Sequence, residues 1–290
     1  MAVIRGVDFI KLDFVTPGSP DNGANLPPDS SGSVIAYHKA IQQSGRQMRL
    51  HISWKLDRSK QFFSIWDANA DAMRTDQDLN NSGETTFVSW ATVQREIDNY
   101  RQYITTVSAY SHVLNIHPEM DNLFVGNPAS MTGVTDQERQ TIMTHWIGAA
   151  ANLIIGADMT NLDAFGKNLL TNPNAMQVAE FTSKYPMQPR NPGSGGNGAK
   201  QLQAWIAGPD ETGAAVVVLA NYGPDAGQGG FNTTLSGTQK LEVSWKDLGV
   251  SGSFGVFDVW AGKNLGSQSK SLSVELGEGA SVLYKLTPCS

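Results

Sequence analysis

The stretch Gly6–Phe14, GVDFIKLDF, is the part of the sequence that decides the fold. Its apolar, β-prone residues are interrupted by two aspartates and a lysine, a pattern that predicts a buried strand whose carboxyl end carries polar groups. Lys11 and Asp13 are two residues apart, so their side chains point to the same face of that strand. The lysine charge would keep the Asp13 carboxyl ionised. The segment 16–33 that follows is dense in Pro, Gly, Asp and Asn and predicts a long loop.

Strand, loop and helix patterns alternate through the first part of the chain, up to residue 186. Five strands are predicted, within Gly6–Phe14, Met48–Trp54, Asn69–Thr75, His112–Ile116 and Asn152–Gly156. Helices are predicted over residues 33–44, 87–109 and 135–151, and the last opens with the capping-box spacing of Thr135 and Glu138. The alternation indicates βα units and a parallel sheet. Because a closed barrel needs about eight strands, either the sheet is open or roughly three βα units precede this chain.

The pattern changes in the last hundred residues. Residues 187–200 are rich in Pro and Gly and predict a linker. Residues 201–290 contain short alternating runs separated by turn residues, which is typical of an antiparallel all-β sandwich. The runs are Leu202–Ala207, Ala214–Tyr222, Phe231–Leu235, Gln239–Ser244, Phe254–Trp260, Ser271–Leu276 and Ala280–Leu286. The predicted organisation is therefore a region of βα units over residues 1–186, the linker, and a sandwich domain.

Composition excludes several classes of protein. Of the 290 residues 40% are hydrophobic and 17% charged, which favours a chain with a large core over a disordered one. The net charge is −6 and no basic run occurs, so nucleic-acid binding is not predicted. No apolar run approaches about 18 residues, so no membrane span is predicted. The single cysteine, Cys289, rules out an intrachain disulfide, and the residues after Met1 show no signal-peptide pattern.

Polar and aromatic residues cluster where the predicted strands end, which is the usual place for function in parallel α/β folds. The candidates are Lys11, Asp13, Trp54, Arg74, Asp78 and Asp121. Carboxylates lined by aromatic rings suit glycoside hydrolysis, which needs one ionised and one protonated carboxyl group. By spacing alone, Asp13 fits an ordinary loop position equally well, and Asp76 and Asp78 fit ordinary turn positions better than a catalytic one. The four-residue separation of Arg74 and Asp78 also indicates a pair that fixes the Asp78 carboxyl group. The spacing of His112 and His117 does not indicate a metal site.

Two of these segments resemble glycoside hydrolase family 27, the family of α-galactosidases and α-N-acetylgalactosaminidases. GVDFIKLDF is similar to the family's nucleophile strand, W-G-V-D-[YF]-[LI]-K-x-D. The resemblance implies that Asp13 is the nucleophile and that Lys11 binds substrate hydroxyls. RTDQD is similar to the family's R-x-x-x-D segment, which implies that Asp78 is the acid/base and that Arg74 is its arginine.

The resemblance extends over nearly the whole chain. Pro118–Asn127, PEMDNLFVGN, is similar to the family's D-P-D-M-L-x-[VI]-G-N, with Asp121 in the place of its second Asp. Trp54 matches the Trp of the family's C-E-W segment, whereas Ser53 stands where that segment has Glu. The last hundred residues resemble the family's C-terminal sandwich. The chain therefore resembles the C-terminal part of a (β/α)8 barrel with its sandwich, without the first three barrel strands.

The resemblance implies a retaining glycoside hydrolase that releases terminal α-linked galactose from oligo- or polysaccharides. A carbohydrate is the only partner implied, with no metal and no organic cofactor. Secretion is also implied, and glycosylation sequons begin at Asn80 and Asn232. The alternatives are another specificity of the family (isomaltose-releasing dextranase or β-L-arabinopyranosidase), a truncated, inactive carbohydrate-binding protein, or an unrelated open α/β enzyme. The oligomeric state is left open.

Overall fold

A computed structural model describes residues 6–19, 25–81, 83–107, 115–190, 198–228 and 235–289. The chain divides into two compact units, the first made of Met1–Asp78 with Gln102–Asp121 and the second of Leu79–Arg101 with Asn122–Ser290. The helices are α1 (Ser31–Gln43), α2 (Lys60–Asn69), α3 (Trp90–Val107), α4 (Ala129–Thr132), α5 (Asp136–Gly148), α6 (Ala164–Thr171), α7 (Pro173–Thr182), α8 (Gly198–Gln201) and α9 (Trp245–Leu248). The strands are β1 (Phe9–Leu12), β2 (Arg49–Ile52), β3 (Ala72–Arg74), β4 (His117–Glu119), β5 (Gln188–Arg190), β6 (Leu202–Ala207), β7 (Ala215–Asn221), β8 (Gln239–Ser244), β9 (Phe254–Asp258), β10 (Lys263–Gln268), β11 (Ser271–Leu276) and β12 (Ala280–Pro288).

The first unit contains a four-stranded parallel sheet in the order β1-β2-β3-β4. Helix α1 lies between β1 and β2 in the chain, and α2 lies between β2 and β3, as βα units require. Helix α1 stops before Gly45, whose φ of +67° is a left-handed conformation that glycine adopts at little cost. Since all four strands run the same way, the residues that follow them lie at one edge of the sheet.

Two of the five predicted strands are wrong in detail. The strand predicted at His112–Ile116 forms further on, as β4, and residues 112–114 lie outside the described part of the chain. The strand predicted at Asn152–Gly156 is reduced to a single parallel bridge between Leu123 and Ile155. The second error has a physical cause: apolar content marked Asn152–Gly156, but a strand forms only where a neighbouring strand offers a continuous ladder of hydrogen bonds.

The second unit is built around α5. The predicted capping box is confirmed: the backbone N–H of Glu138 donates to the Thr135 hydroxyl at 3.3 Å, and the Glu138 carboxyl accepts the Thr135 N–H at 2.7 Å. The helix packs against β12 and β7. Within that contact the Thr141 hydroxyl donates to the carbonyl oxygen of Gly279 at 2.7 Å, so the buried polar group is satisfied.

The C-terminal part of the second unit is a β-sandwich, as predicted. A six-stranded antiparallel sheet in the order β10-β9-β12-β7-β6-β5 faces a two-stranded sheet of β8 and β11. Every residue of β7 is buried, because one face packs on the two-stranded sheet and the other lies toward α5. Double-sided burial explains its continuous apolar run, AVVVLAN.

Part of the segment predicted as a linker is a strand. Gln188–Arg190 form β5, an edge strand that pairs with β6. Residues 191–197 lie outside the described ranges. The predicted domain boundaries themselves stay a prediction.

A histidine is enclosed by aromatic rings in the second unit. His145 is fully buried, and the Tyr222 hydroxyl lies 3.1 Å from its Nδ1. That hydroxyl accepts the indole N–H of Trp205 at 2.9 Å, so its own proton points to the histidine. The rings of Trp205 and Tyr100 stand edge-on to the imidazole at 5.1 and 5.5 Å. Burial lowers the pKa of His145 to about 3, so the ring is neutral in the folded chain.

We expect this histidine to make folding stability depend on pH. Its pKa is about 3 when folded, whereas an exposed histidine in an unfolded chain has a pKa of about 6.5. The unfolded chain therefore binds the extra proton as the pH falls below about 6.5, and stability is lost in that window until the pH nears 3. At pH 5 the loss attributable to His145 is about 2 kcal/mol. Urea unfolding at pH 7.5 and pH 5 should show a smaller loss for His145→Gln than for the unchanged chain; equal losses would contradict the assignment.

None of the helices in the described part of the chain is long and apolar enough to cross a membrane.

Candidate active site

Four of the predicted site residues follow the four strands of the parallel sheet in the first unit. Asp13 comes directly after β1 and Trp54 comes two residues after β2. Asp78 comes four residues after β3, and Asp121 comes two residues after β4. The sheet therefore gathers them at its carboxyl edge, which is where this class of fold places its chemistry.

Asp13 is exposed to solvent, and its carboxyl group is held by the next residue. The backbone N–H of Phe14 donates to Asp13 Oδ1 at 3.0 Å. Phe14 has a φ of +55°, a left-handed conformation that is strained for an aromatic residue. Exposed and half-buried residues alternate along β1, and Lys11, two residues before Asp13, is one of the exposed ones. Strain of this kind is frequent at functional sites, where it fixes a side chain.

Arg74 joins two of the predicted carboxylates. It is the last residue of β3, and its side chain is only 2% exposed. One guanidinium nitrogen, Nη2, lies 3.2 Å from Asp78 Oδ1 and 2.9 Å from Asp121 Oδ2. The structure therefore brings together the Arg and Asp of the R-x-x-x-D segment and adds the predicted Asp121.

The two carboxylates on Arg74 differ in exposure. The Asp78 side chain is 47% exposed, whereas that of Asp121 is 9% exposed. Asp121 also has a left-handed backbone, with a φ of +63°. A buried carboxylate on a buried guanidinium is a fixed structural pair. The open carboxylate of Asp78 is the one that a substrate can reach.

A second buried polar pair lies beside Arg74 and was not predicted from the sequence. His51 on β2 contacts the carboxyl group of Glu119 on β4 through Nε2 and Oε2, and both side chains are buried. Glu119 is opposite Arg74 in the strand register. Burial raises the pKa of Glu119, but the hydrogen bond and charge of His51, with the charges of Arg74 and Lys11, lower it overall. The only sequence signal was polar residues alternating in MRLHISW, which alone does not say what they contact.

Trp54 supplies an aromatic surface next to the end of β1. Its ring stacks on Phe14 with centroids 5.8 Å apart and planes 18° apart. The hydroxyl of Ser53, next to it, is buried with no hydrogen-bond partner among the described residues. In the resembled family a Glu stands at the position of Ser53. The site thus has an aromatic wall but a different polar group beside it.

The described residues contain no group of three or more His, Cys, Asp or Glu side chains arranged to hold a metal ion. Of the two histidines considered for metal binding, His112 lies outside the described ranges. Burial, with the charge of Arg49, lowers the pKa of His117, which favours its neutral form.

Comparison with known proteins identifies the C-terminal module first. Residues 199–286 match the family described as the alpha galactosidase C-terminal beta sandwich domain. The chain is 54% identical over 282 residues to alpha-galactosidase 3 of Hypocrea jecorina, a match covering 97% of this chain and 45% of that protein. The chain resembles α-galactosidases over nearly its whole length. This confirms the predicted resemblance to glycoside hydrolase family 27.

Further relatives agree with this assignment. The α-galactosidase-like chain is 45% identical over 249 residues to a protein of Emericella nidulans, covering 85% of this chain and 50% of that protein. It is 25% identical over 292 residues to the alpha-galactosidase of Coffea arabica, covering 98% and 64%. The chain thus spans about half the length of the two fungal proteins.

Solved structures confirm the fold of this α-galactosidase-like chain. A family-27 β-L-arabinopyranosidase from Geobacillus stearothermophilus matches with a TM-score of 0.77 at 22% identity, covering all of this chain and 60% of that one. Alpha-galactosidase I from Mortierella vinacea matches with a TM-score of 0.71 at 20% identity, covering 99% and 70%. The predicted architecture, part of a (β/α) barrel followed by an antiparallel sandwich, is therefore confirmed.

Proposed function

We propose that the protein is a retaining glycoside hydrolase that releases terminal α-linked galactose. The observation that carries the proposal is the position of Arg74, which holds Asp78 and Asp121 at the edge of the sheet where β1 ends in Asp13. The α-galactosidases among the relatives supply the sugar class. The reaction needs two carboxyl groups that face the scissile bond, and this edge of the sheet carries them.

In the proposed first step, Asp13 attacks the anomeric carbon and forms a covalent glycosyl-enzyme. The Phe14 N–H binds Oδ1 of Asp13, which orients the carboxylate for attack. Asp78 donates a proton to the leaving oxygen. Departure of the aglycone then leaves the galactosyl group esterified to Asp13.

In the proposed second step, Asp78 takes a proton from water, which attacks the anomeric carbon and releases Asp13. Because both steps invert the anomeric centre, the released galactose has the α-configuration of the substrate. Arg74 keeps Asp78 in place through both steps, and Lys11 and Trp54 bind the sugar by a hydroxyl contact and by ring stacking. A retaining enzyme of this kind needs its two carboxyl groups about 5–5.5 Å apart.

A second specificity within the same reaction is favoured by Ser53. Its buried hydroxyl has no partner among the described residues, and it occupies the place of a Glu that helps to read the sugar in the resembled family. A changed polar group at that position would change the preferred sugar. The candidates are β-L-arabinopyranosides and isomaltose-releasing cleavage of dextran.

The proposal is tested by hydrolysis of 4-nitrophenyl α-D-galactopyranoside, with 4-nitrophenyl β-L-arabinopyranoside and dextran as competitors. Because the chain covers 45% of the Hypocrea relative, we would assay it alone and joined to the upstream residues of that relative. We expect release of 4-nitrophenol from the galactoside with retention, read by NMR of the first sugar released. Faster cleavage of another substrate would contradict the specificity for galactose, and release of β-galactose would contradict the retaining mechanism.

Secretion is a further part of the proposal. Asn80, the first residue of one predicted sequon, is exposed, as attachment of a glycan requires. Asn232, which begins the other, lies outside the described residues. Loss of mass at Asn80 after enzymatic removal of N-glycans from the secreted chain would support this part.

A further inference from the structure

The second unit carries a groove that shares no residue with the candidate active site. It consists of two neighbouring cavities, of about 310 and 330 Å³, that have Gln140 and Ser281 in common. The first is also lined by Asp258, Trp260, Ala261 and Val282. The second is also lined by Asp136, Gln137, Phe165 and Ala280. Helix α5 and strand β12 therefore lie under both halves, and each half has about the volume of a small-ligand pocket.

An aromatic ring lines each half of the groove. Trp260 is partly buried, and its indole N–H donates to the Thr144 hydroxyl at 2.8 Å, which fixes the ring. Phe165 lines the other half, and the guanidinium carbon of Arg139 lies 5.0 Å from its ring centroid. Fixed rings offer apolar faces at little cost in conformational entropy.

The groups between the rings are neutral or acidic. Gln137 and Gln140 come from α5, and a carboxamide can both donate and accept hydrogen bonds. Asp258 accepts the backbone N–H of Ala261 at 3.0 Å, and Asp136 accepts from Arg139 at 2.8 Å. Among the described residues that line the two cavities, none is Lys, Arg or His.

This lining selects the chemistry of a ligand. An anion would meet two carboxylates and no cationic lining residue, so it is disfavoured. Asp258, Asp136 and Gln140 each have one partner in the protein. A purely apolar ligand would cover the remaining hydrogen-bonding positions of the amides and carboxylates without satisfying them. A neutral molecule with many hydroxyls satisfies both conditions, since its hydroxyls bond the amides and its C–H faces pack on the rings.

We propose that this groove is a second carbohydrate site, which binds two neighbouring residues of a neutral oligosaccharide without cleaving it. The choice of a galactose-containing ligand rests on the proposed function. The groove itself rests on its own lining. It would hold part of a long substrate and raise its local concentration around the enzyme.

The test is titration of the Asp13→Asn variant of the full chain, which the proposed mechanism leaves unable to cleave the sugar, with raffinose, followed by NMR of the indole N–H signals of Trp54 and Trp260. We expect the Trp260 signal and the side-chain amides of Gln137 and Gln140 to shift, with a Kd of about 1–10 mM. The double variant Gln137→Ala/Gln140→Ala should weaken this binding by about tenfold or more. Gln177→Ala, an exposed glutamine on α7, is the matched control and should change nothing. Galacturonate should shift the Trp260 signal less than galactose does, because it is an anion.

The outcomes separate this site from the proposed active site. If the Trp260 signal does not shift up to about 50 mM raffinose, or if the double variant binds raffinose equally well, the groove is not a carbohydrate site. A shift at Trp54 alone would also overturn it and would leave the proposed function standing. A shift at Trp260 without one at Trp54 would support the groove while the proposed active site lost support.

Discussion

Replacement of Asp13 by Asn is expected to lower turnover of an aryl α-galactoside by a factor of about 10⁴ or more. An amide cannot form the glycosyl ester of the first step, and Asp13 holds the only carboxyl group that we place on that side of the reaction. The side chain is exposed and its contact with the Phe14 N–H survives in an amide, because Oδ1 remains an acceptor. The fold should therefore be unchanged, and kcat should fall without a change in unfolding midpoint.

Two controls sharpen this prediction. Asp8→Asn removes an exposed carboxyl group that pairs with Arg46, close to the same strand, and should leave turnover as it was. Asp13→Gly should regain activity in the presence of azide, which would occupy the space of the carboxylate and give β-galactosyl azide. Near-normal turnover by Asp13→Asn, or an α-azide product, would contradict the assignment of the nucleophile.

Replacement of Arg74 by Met is expected to damage stability and activity together. The guanidinium is buried on Asp121, so its loss leaves a buried carboxylate uncompensated at a cost of about 3–5 kcal/mol. Asp78 also loses the contact that positions it, so kcat should fall by about 10²-fold or more. Arg74→Lys keeps the charge, but a single ammonium lacks the planar set of donors that reaches two carboxylates, so it should restore stability more than activity.

Urea unfolding and kcat of the same preparations measure both effects. Arg46→Met is the matched control, since it breaks an exposed ion pair with Asp8 and should cost about 0–1 kcal/mol. If Arg74→Met lowers the free energy of unfolding no more than Arg46→Met does, the buried contact of Arg74 with its carboxylates (the bridge) does not stabilise the fold. If Arg74→Lys is fully active, the bridge does not position Asp78.

Much of the fold follows from local sequence patterns. The capping box of α5 and the strands β6, β8 and β11 lie where hydrophobic periodicity and turn residues predict them. Helices α2, α6 and α7 were missed, because each has at most ten residues and too few turns for a clear period. Strand β10 was missed because its sequence has no alternating apolar pattern. It is an exposed edge strand, so its sequence, KNLGSQ, needs no apolar face.

Side-chain contacts in the candidate site are harder to predict from one sequence than the strands and helices are. The four-residue spacing indicated a pair of Arg74 with Asp78, which the structure contains. Spacing is a weak guide here, because a separation of four residues brings side chains together in a helix and these residues lie in a strand end and a loop. The resemblance to a family added the roles of the two residues. The contact of His51 with Glu119 could not be found either way, since it depends on the register of β2, β3 and β4. Buried polar pairs between strands distant in the chain are fixed by tertiary structure.

The central claim is that Asp13 forms a covalent bond to the sugar. It is tested most directly by incubation with a fluorinated α-galactosyl fluoride, whose fluorine slows hydrolysis of the intermediate more than its formation. Peptide mass spectrometry then locates the attached sugar. We expect a single galactosyl ester on Asp13, and none in the Asp13→Asn variant. A label on Asp78 or on any other residue, or steady turnover of the reagent with no labelled peptide, would contradict it.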